Sequence, residues 1–299
     1  MISSSPWALP LSGDPRHSVS RFRSRRRFVA GRRWLDWAVL ASLLFAFDGE
    51  VAKGDFADQF SDPGKWSKRV AEGWKSQGNG GDSPQAAEIS VQSDNPLSAD
   101  GGAYLKVAVS SEGTNKRWAV LRPHFGLSGA YTLSFLYRLD EAVGGHLSPD
   151  FGKMMFFQWN GIGSPLLASA ENATWAIQST RESAAPEWIF SNGAGFDGSG
   201  NIIDGKGSGV LLNMKDAYLF ELFVEPEKSR YKATVRNLSH REGSPGAADF
   251  TSEWLDFAWK GGSVDGAFVF LEHKRRNSGV VAFSLDDVKL KKGAAEGKR

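Results

Sequence analysis

The chain predicts an all-β protein, an antiparallel jelly-roll β-sandwich, on three observations. Apolar residues recur with a period of two through much of residues 55–291, 34 glycines and frequent turn residues cut those runs short, and no helices alternate with them. Strands that follow strands without crossover helices build a sandwich or barrel and not a parallel α/β sheet.

At the front, residues 1–47 read as an export signal. A basic run from Arg16 to Arg33 precedes the apolar segment Trp37 to Phe47, and a cationic region followed by a short apolar one is the order a translocation signal requires. Within the run, Ser24-Arg25-Arg26-Arg27-Phe28-Val29 is similar to the twin-arginine export consensus, so that route and the general secretory route both stay open. Cleavage is expected between Ala46 and Gly54, with residues 48–54 as a linker. The folded part then works in the periplasm, at the cell surface or outside the cell.

The sandwich occupies residues 55–291. Leu105, Val107 and Val109 alternate with Lys106 and Ser110, and Tyr131, Leu133, Phe135, Tyr137 and Leu139 fall on one face while Thr132, Ser134 and Arg138 fall on the other. Tyr218 to Val224, Tyr231 to Val235, Ala267 to Leu271 and Val280 to Leu285 repeat the pattern between turns such as Glu225-Pro226-Glu227-Lys228. A polar tail, residues 292–299, closes the chain.

Charge narrows the partners. Lys and Arg total 36 and Asp and Glu 34, but residues 1–47 hold eight Arg and two acids, which leaves 28 against 32, a net charge near −4, for the remainder. Such a domain lacks the basic stripe that a phosphate backbone needs, so nucleic acid is not an expected partner. The absence of cysteine excludes disulfides, thiol nucleophiles and cysteine-ligated zinc, and the fold must rest on its apolar core.

Eleven tryptophans supply the main chemical lead. The apolar faces of sugar rings stack on Trp and Tyr while their hydroxyls pair with amides and carboxylates, which points to Gln158, Trp159 and Asn160 and to Trp188 near Asn192. Trp175 with Gln178 has the same character, whereas Trp66, Trp118 and Trp254 read as core. The glycine-rich tract from Asn192 to Gly209 spaces Asp197, Ser199 and Asn201 like a calcium loop. Ile202 and Ser208 stand where that loop needs Gly and Glu, so the tract reads as a long loop or hairpin beside the ligand face.

Catalysis has its own candidates. Glu221 and Glu225 share a strand face about 13 Å apart, beyond the roughly 5–10 Å of glycosidase carboxylate pairs. A β-elimination would draw on His273, Arg275 and Tyr231, with His124, His146, Arg122 and Tyr218 in reserve.

Four stretches carry a family resemblance: Asp58 to Trp66 (DQFSDPGKW), Gly101 to Ser110, Tyr131 to Asp140 and Val280 to Leu290. Together they resemble the jelly-roll sandwiches of bacterial carbohydrate-binding modules and of concanavalin A-like lectins and glucanases. The resemblance implies an opening strand with a Phe beside a closing strand that ends in Asp-Asp-Val, and a structural calcium at that edge. Strand neighbours point to opposite faces, so of Asp286 and Asp287 only Asp287 is assigned to the metal, with Asp58 or Asp62, while Ser61 follows Phe60 where the family places an acid. The glucanases of this fold use a Glu-x-Asp-x-Glu strand, and Phe223 occupies its centre here. What the resemblance implies for function is an exported, non-catalytic glycan-binding protein. The alternatives are a polysaccharide lyase or glycoside hydrolase on the same fold, and a surface protein without a sugar ligand.

Overall fold

The computed structural model describes residues 56–58, 75–78, 87–111, 116–122, 129–141, 153–160, 173–180, 186–193, 195–197, 201–260, 267–274 and 279–293. All of them belong to one compact unit, residues 49–299. The predicted export signal, cleavage region, Phe60, Asp62 and Trp66 lie outside the described residues, as do His124, His146 and Arg275.

Sixteen strands are described: β1 (Phe56–Asp58), β2 (Lys75–Gly78), β3 (Ala87–Gln92), β4 (Tyr104–Ser111), β5 (Lys116–Arg122), β6 (Tyr131–Glu141), β7 (Lys153–Trp159) and β8 (Ala173–Thr180), then β9 (Glu187–Ser191), β10 (Gly205–Leu211), β11 (Ala217–Glu225), β12 (Arg230–Asn237), β13 (Asp249–Thr251), β14 (Leu255–Asp256), β15 (Ala267–Lys274) and β16 (Gly279–Lys292). They form two antiparallel sheets. One has nine strands in the order β13-β12-β11-β6-β16-β4-β3, with β1 beside β16 and β14 beside β12, and the other has seven in the order β10-β9-β8-β7-β15-β5-β2. Non-sequential neighbours such as β6 and β16 are the long-range pairings of a jelly roll, and the all-β expectation is met.

Alternation explains the core. On β11, Tyr218, Phe220, Leu222 and Val224 are buried while Leu219, Glu221, Phe223 and Glu225 are half-buried on the outer face. The inward residues of the two sheets meet in an aromatic centre in which the Trp188 ring lies 4.9 Å from Phe220, 5.4 Å from Phe156 and 5.6 Å from Tyr137. Edge-to-face packing against Phe220 and Tyr137 and stacking against Phe156 add to the burial of large apolar area.

An opening strand does pair with the closing one: Phe56 stands opposite Leu290 and Asp58 opposite Val288. A shift in register between Asp286 and Lys289 accompanies a left-handed backbone at Asp287, with φ 50°. One extra residue in a strand is how such a bulge restores Val288 and Leu290 to the core side.

Candidate functional site

The outer face of the seven-stranded sheet is built by β7 and β8. Met154 and Phe156 point into the inter-sheet core, whereas Met155, Phe157 and Trp159 form a separate outer cluster with Ala173 and Ala176. Phe196 and Ile202 pack on that cluster from the glycine-rich tract. The described residues 195–197 and 201–204 of this tract pair with one another as the two arms of a hairpin. Phe196 and Ile202 form a β-bridge, the Asn201 backbone and side-chain N–H groups donate to the Asp197 carboxylate at 2.8 and 2.7 Å, and Ile203 N–H donates to the Gly195 carbonyl at 2.9 Å.

Gln178, on β8, fastens the hairpin to the sheet. Its amide oxygen accepts from Ile202 N–H at 2.8 Å, and its Nε2 donates to Asn201 Oδ1 at 3.2 Å. Gly195 is needed where the hairpin closes, because a Cβ there would sit 2.4 Å from Asp204 Cβ. The Asp197 carboxylate thus accepts from Asn201, while Ser199, the third residue of the calcium-like spacing, lies outside the described residues. Above the apolar strip stand Asp197, which is exposed, and Asn201, which is half-buried, while Trp159 and Asn160 are each 8% exposed.

Two of the predicted sugar-binding residues belong to the core instead. Gln158 points inward, where its amide oxygen accepts from the Tyr131 hydroxyl at 2.7 Å, and that hydroxyl accepts from Trp175 Nε1 at 3.0 Å. Trp188 is fully buried between the sheets. The physical reason is parity: adjacent residues on a strand face opposite ways, so Gln158 and Trp159 do not serve one surface. Trp254 corrects the other way. Read as core, it is half-buried between β13 and β14 on the outer face of the nine-stranded sheet. Trp118 lies in β5 opposite Glu272.

The catalytic candidates are dispersed. Tyr231 is buried and its hydroxyl donates to the Ser191 carbonyl at 2.5 Å, with Ser191 Oγ at 3.1 Å; burial pushes its pKa up, so it is no ready base. Tyr218 donates to the Leu211 carbonyl at 2.8 Å, and burial raises it too. Glu221 and Glu225 face the other way, on the outside of the nine-stranded sheet, and both are paired. Arg236 approaches Glu221 at 3.5 Å, and Arg230 and Lys228 hold Glu225 at 2.6 and 3.1 Å. Partial burial opposes charge on Glu225, but the hydrogen bonds from Arg230 and Lys228 outweigh it and keep the carboxyl below its ordinary range. A carboxylate so held is a poor proton donor near neutrality. His273 sits in β15 of the opposite sheet, in register with Lys153 and Arg117.

At the β1–β16 edge, Lys289 Nζ pairs with Asp287 Oδ2 at 2.5 Å, while Asp287 Oδ1 is buried with no hydrogen-bond partner. Asp286, also buried, accepts from Asp287 N–H at 2.7 Å. Among the described residues no group of three or more His, Cys, Asp or Glu converges on a metal position.

No protein-family model and no curated protein matches the chain. Solved structures similar to it include a seed lectin of Lotus tetragonolobus, 11% identical over 81% of this chain and 99% of that one with a TM-score of 0.48. The calcium-bound exoplasmic/lumenal domain of VIP36 is 12% identical over 82% and 93%, with a TM-score of 0.46. Lectin II of Ulex europaeus is 10% identical over 79% and 97%, with a TM-score of 0.44. At these identities and TM-scores the likeness assigns neither family nor ligand. The chain itself folds as an all-β sandwich of two antiparallel sheets.

Proposed function

We propose that the protein is an exported, non-catalytic glycan-binding sandwich, whose binding surface is the outer face of the seven-stranded sheet around Trp159, Asn160 and the 195–204 hairpin. The observation that carries this reading is the position of Trp159. It lies outside the inter-sheet core, beneath a hairpin that displays Asp197 and Asn201. An apolar strip with the Asn201 amide and the Asp197 carboxylate on the hairpin above it suits the two kinds of surface a sugar ring presents. The non-catalytic part is supported by the engagement of Glu221, Glu225 and Tyr231 in ion pairs and hydrogen bonds that leave them without a common reaction centre. Export is supported by the order of charge and hydrophobicity in residues 1–47.

The test is affinity electrophoresis of the secreted protein through gels holding single neutral or acidic polysaccharides, with the same mixtures assayed for reducing ends and for unsaturated uronates. Retardation by one glycan that is lost in Asn160→Ala and Trp159→Ala, with no products, is the expected result. Product formation that disappears in Glu221→Gln, His273→Ala or Tyr231→Phe would replace this reading by the lyase or hydrolase.

A structural calcium at the β1–β16 edge belongs to the same proposal, held by Asp287 with Asp58. The buried, unpartnered Asp287 Oδ1 fits a hard cation, and the backbone of Asp58 pairs one residue away, opposite Val288. Lys289 already balances the other carboxylate oxygen, so the site would take backbone carbonyls in addition. Calcium at a hundredfold excess over its dissociation constant is expected to stabilise the fold by about 2.7 kcal/mol. Melting temperatures with calcium and with chelator should differ in the wild type and coincide in Asp287→Ala. Equal shifts in both proteins would take Asp287 out of the site.

A further inference from the structure

The outer face of the nine-stranded sheet carries a second surface of different chemistry. Lys291, Thr132, Phe223 and Lys232 stand in register across β16, β6, β11 and β12, and Lys289, Ser134, Glu221, Thr234 and Thr251 form the next row. Trp254 folds over the end of the first row. Its ring lies 5.7 Å from Phe223, with the Arg230 guanidinium 3.8 Å and the Lys232 ammonium 5.1 Å from its centre.

Charges on this face are unevenly matched. Arg230 is balanced by Glu225, Arg236 by Glu221 and Lys289 by Asp287. Among the described residues, no carboxylate comes within ion-pair distance of Lys232 or Lys291. Three strand spacings separate them, roughly 14 Å. The face thus combines an aromatic pair, a set of hydroxyls and two unmatched ammonium groups, all half-buried or exposed. A neutral sugar uses the first two and gains nothing from the third.

We propose that this surface is a second glycan site selective for acidic saccharides, in which a pyranose ring packs on Trp254 and Phe223 and its carboxylate or sulfate meets Lys232. The site is independent of the Trp159 face and lies on the opposite sheet. Lys232, in cation–π contact with Trp254, is placed to contact the anion next to the stacked ring, and Lys291 would engage an anionic group on a neighbouring residue of the same chain. Glu253, exposed next to Trp254, opposes anion binding and gives a control of opposite sign.

Affinity electrophoresis of the full secreted protein against alginate, dextran sulfate and uncharged dextran tests this. Alginate or dextran sulfate should retard it more than dextran does, with retardation falling as salt is raised; which of the two binds tells carboxylate from sulfate. Lys232→Gln and Trp254→Ala should each weaken the acidic interaction roughly tenfold, as loss of one charge-assisted contact or one stack implies. Glu253→Gln should strengthen it. Lys232→Gln touches no core residue, so its retardation reads the site even where Trp254→Ala unfolds. Unaltered retardation in Lys232→Gln, or an equal loss toward uncharged dextran, would overturn the proposal. Loss confined to Trp159→Ala would overturn it too and leave the seven-stranded face as the acidic site.

Discussion

Trp188→Ala is expected to destabilise the protein by about 3–5 kcal/mol, the cost of emptying a large aromatic site in a packed core. The ring is fully buried and touches Phe156, Tyr137, Tyr218 and Phe220 from both sheets, so the cavity would open at the centre of the sandwich. Urea unfolding followed by circular dichroism measures it. Trp188→Phe should cost much less and leave glycan retardation intact. A wild-type midpoint in Trp188→Ala would contradict the placement of this residue in the core.

The second large effect is expected at Arg138. Its side chain is 6% exposed and pairs with Asp140, 14% exposed, at 2.5 Å, while Nη1 donates to the Asn95 carbonyl at 2.7 Å. Asp140 also accepts from the Ser284 hydroxyl, and the guanidinium lies 5.2 Å from the centre of the Tyr104 ring. Tyr104 in turn donates to the Asp94 carbonyl at 2.8 Å, and with Leu97, Leu136 and Leu219 it makes a small apolar cluster on the outside of the sheet. Arg138→Ala should therefore cost about 3 kcal/mol by leaving the largely buried Asp140 without its cation. Replacing Arg138 and Asp140 together by Met and Leu should cost less than either single loss. Hydrogen exchange should rise first in residues 93–102, the segment this network holds against the sheet. Stability losses in the double variant equal to the sum of the singles would refute the coupling.

How much of this was legible in sequence follows from which faces water reaches. β11, β12 and the first half of β6 have one inter-sheet face and one half-exposed face, so their alternation is plain and the observed bounds extend the expected strands by only a few residues. β7, β8 and β9 were not singled out. Met154 to Trp159 is buried on both faces, because Met155, Phe157 and Trp159 form an outer cluster with Phe196 and Ile202 packed on it, and a strand buried twice shows no period. The glycine-rich tract gave no sign that Gln178 would anchor it.

Site residues were harder than strands, because a sugar-binding tryptophan and a core tryptophan have the same neighbours in sequence. Gln158-Trp159-Asn160 looked like one polar-aromatic group, yet the pleat splits it between two surfaces. The Trp254 surface was missed for the converse reason. Its parts, Phe223, Arg230, Lys232 and Trp254 itself, come from two strands and a loop, and only the alternate spacing of Arg230 and Lys232 hints that both share a face.

Hydroxyl-radical footprinting of the protein, free and saturated with the glycan that retards it most, tests the central claim directly. Protection is expected at the hairpin and at Trp159 beneath it, with Tyr231 and Trp188 silent in both states. Protection centred on Glu221, Tyr231 or His273, or none on the hairpin, would contradict it.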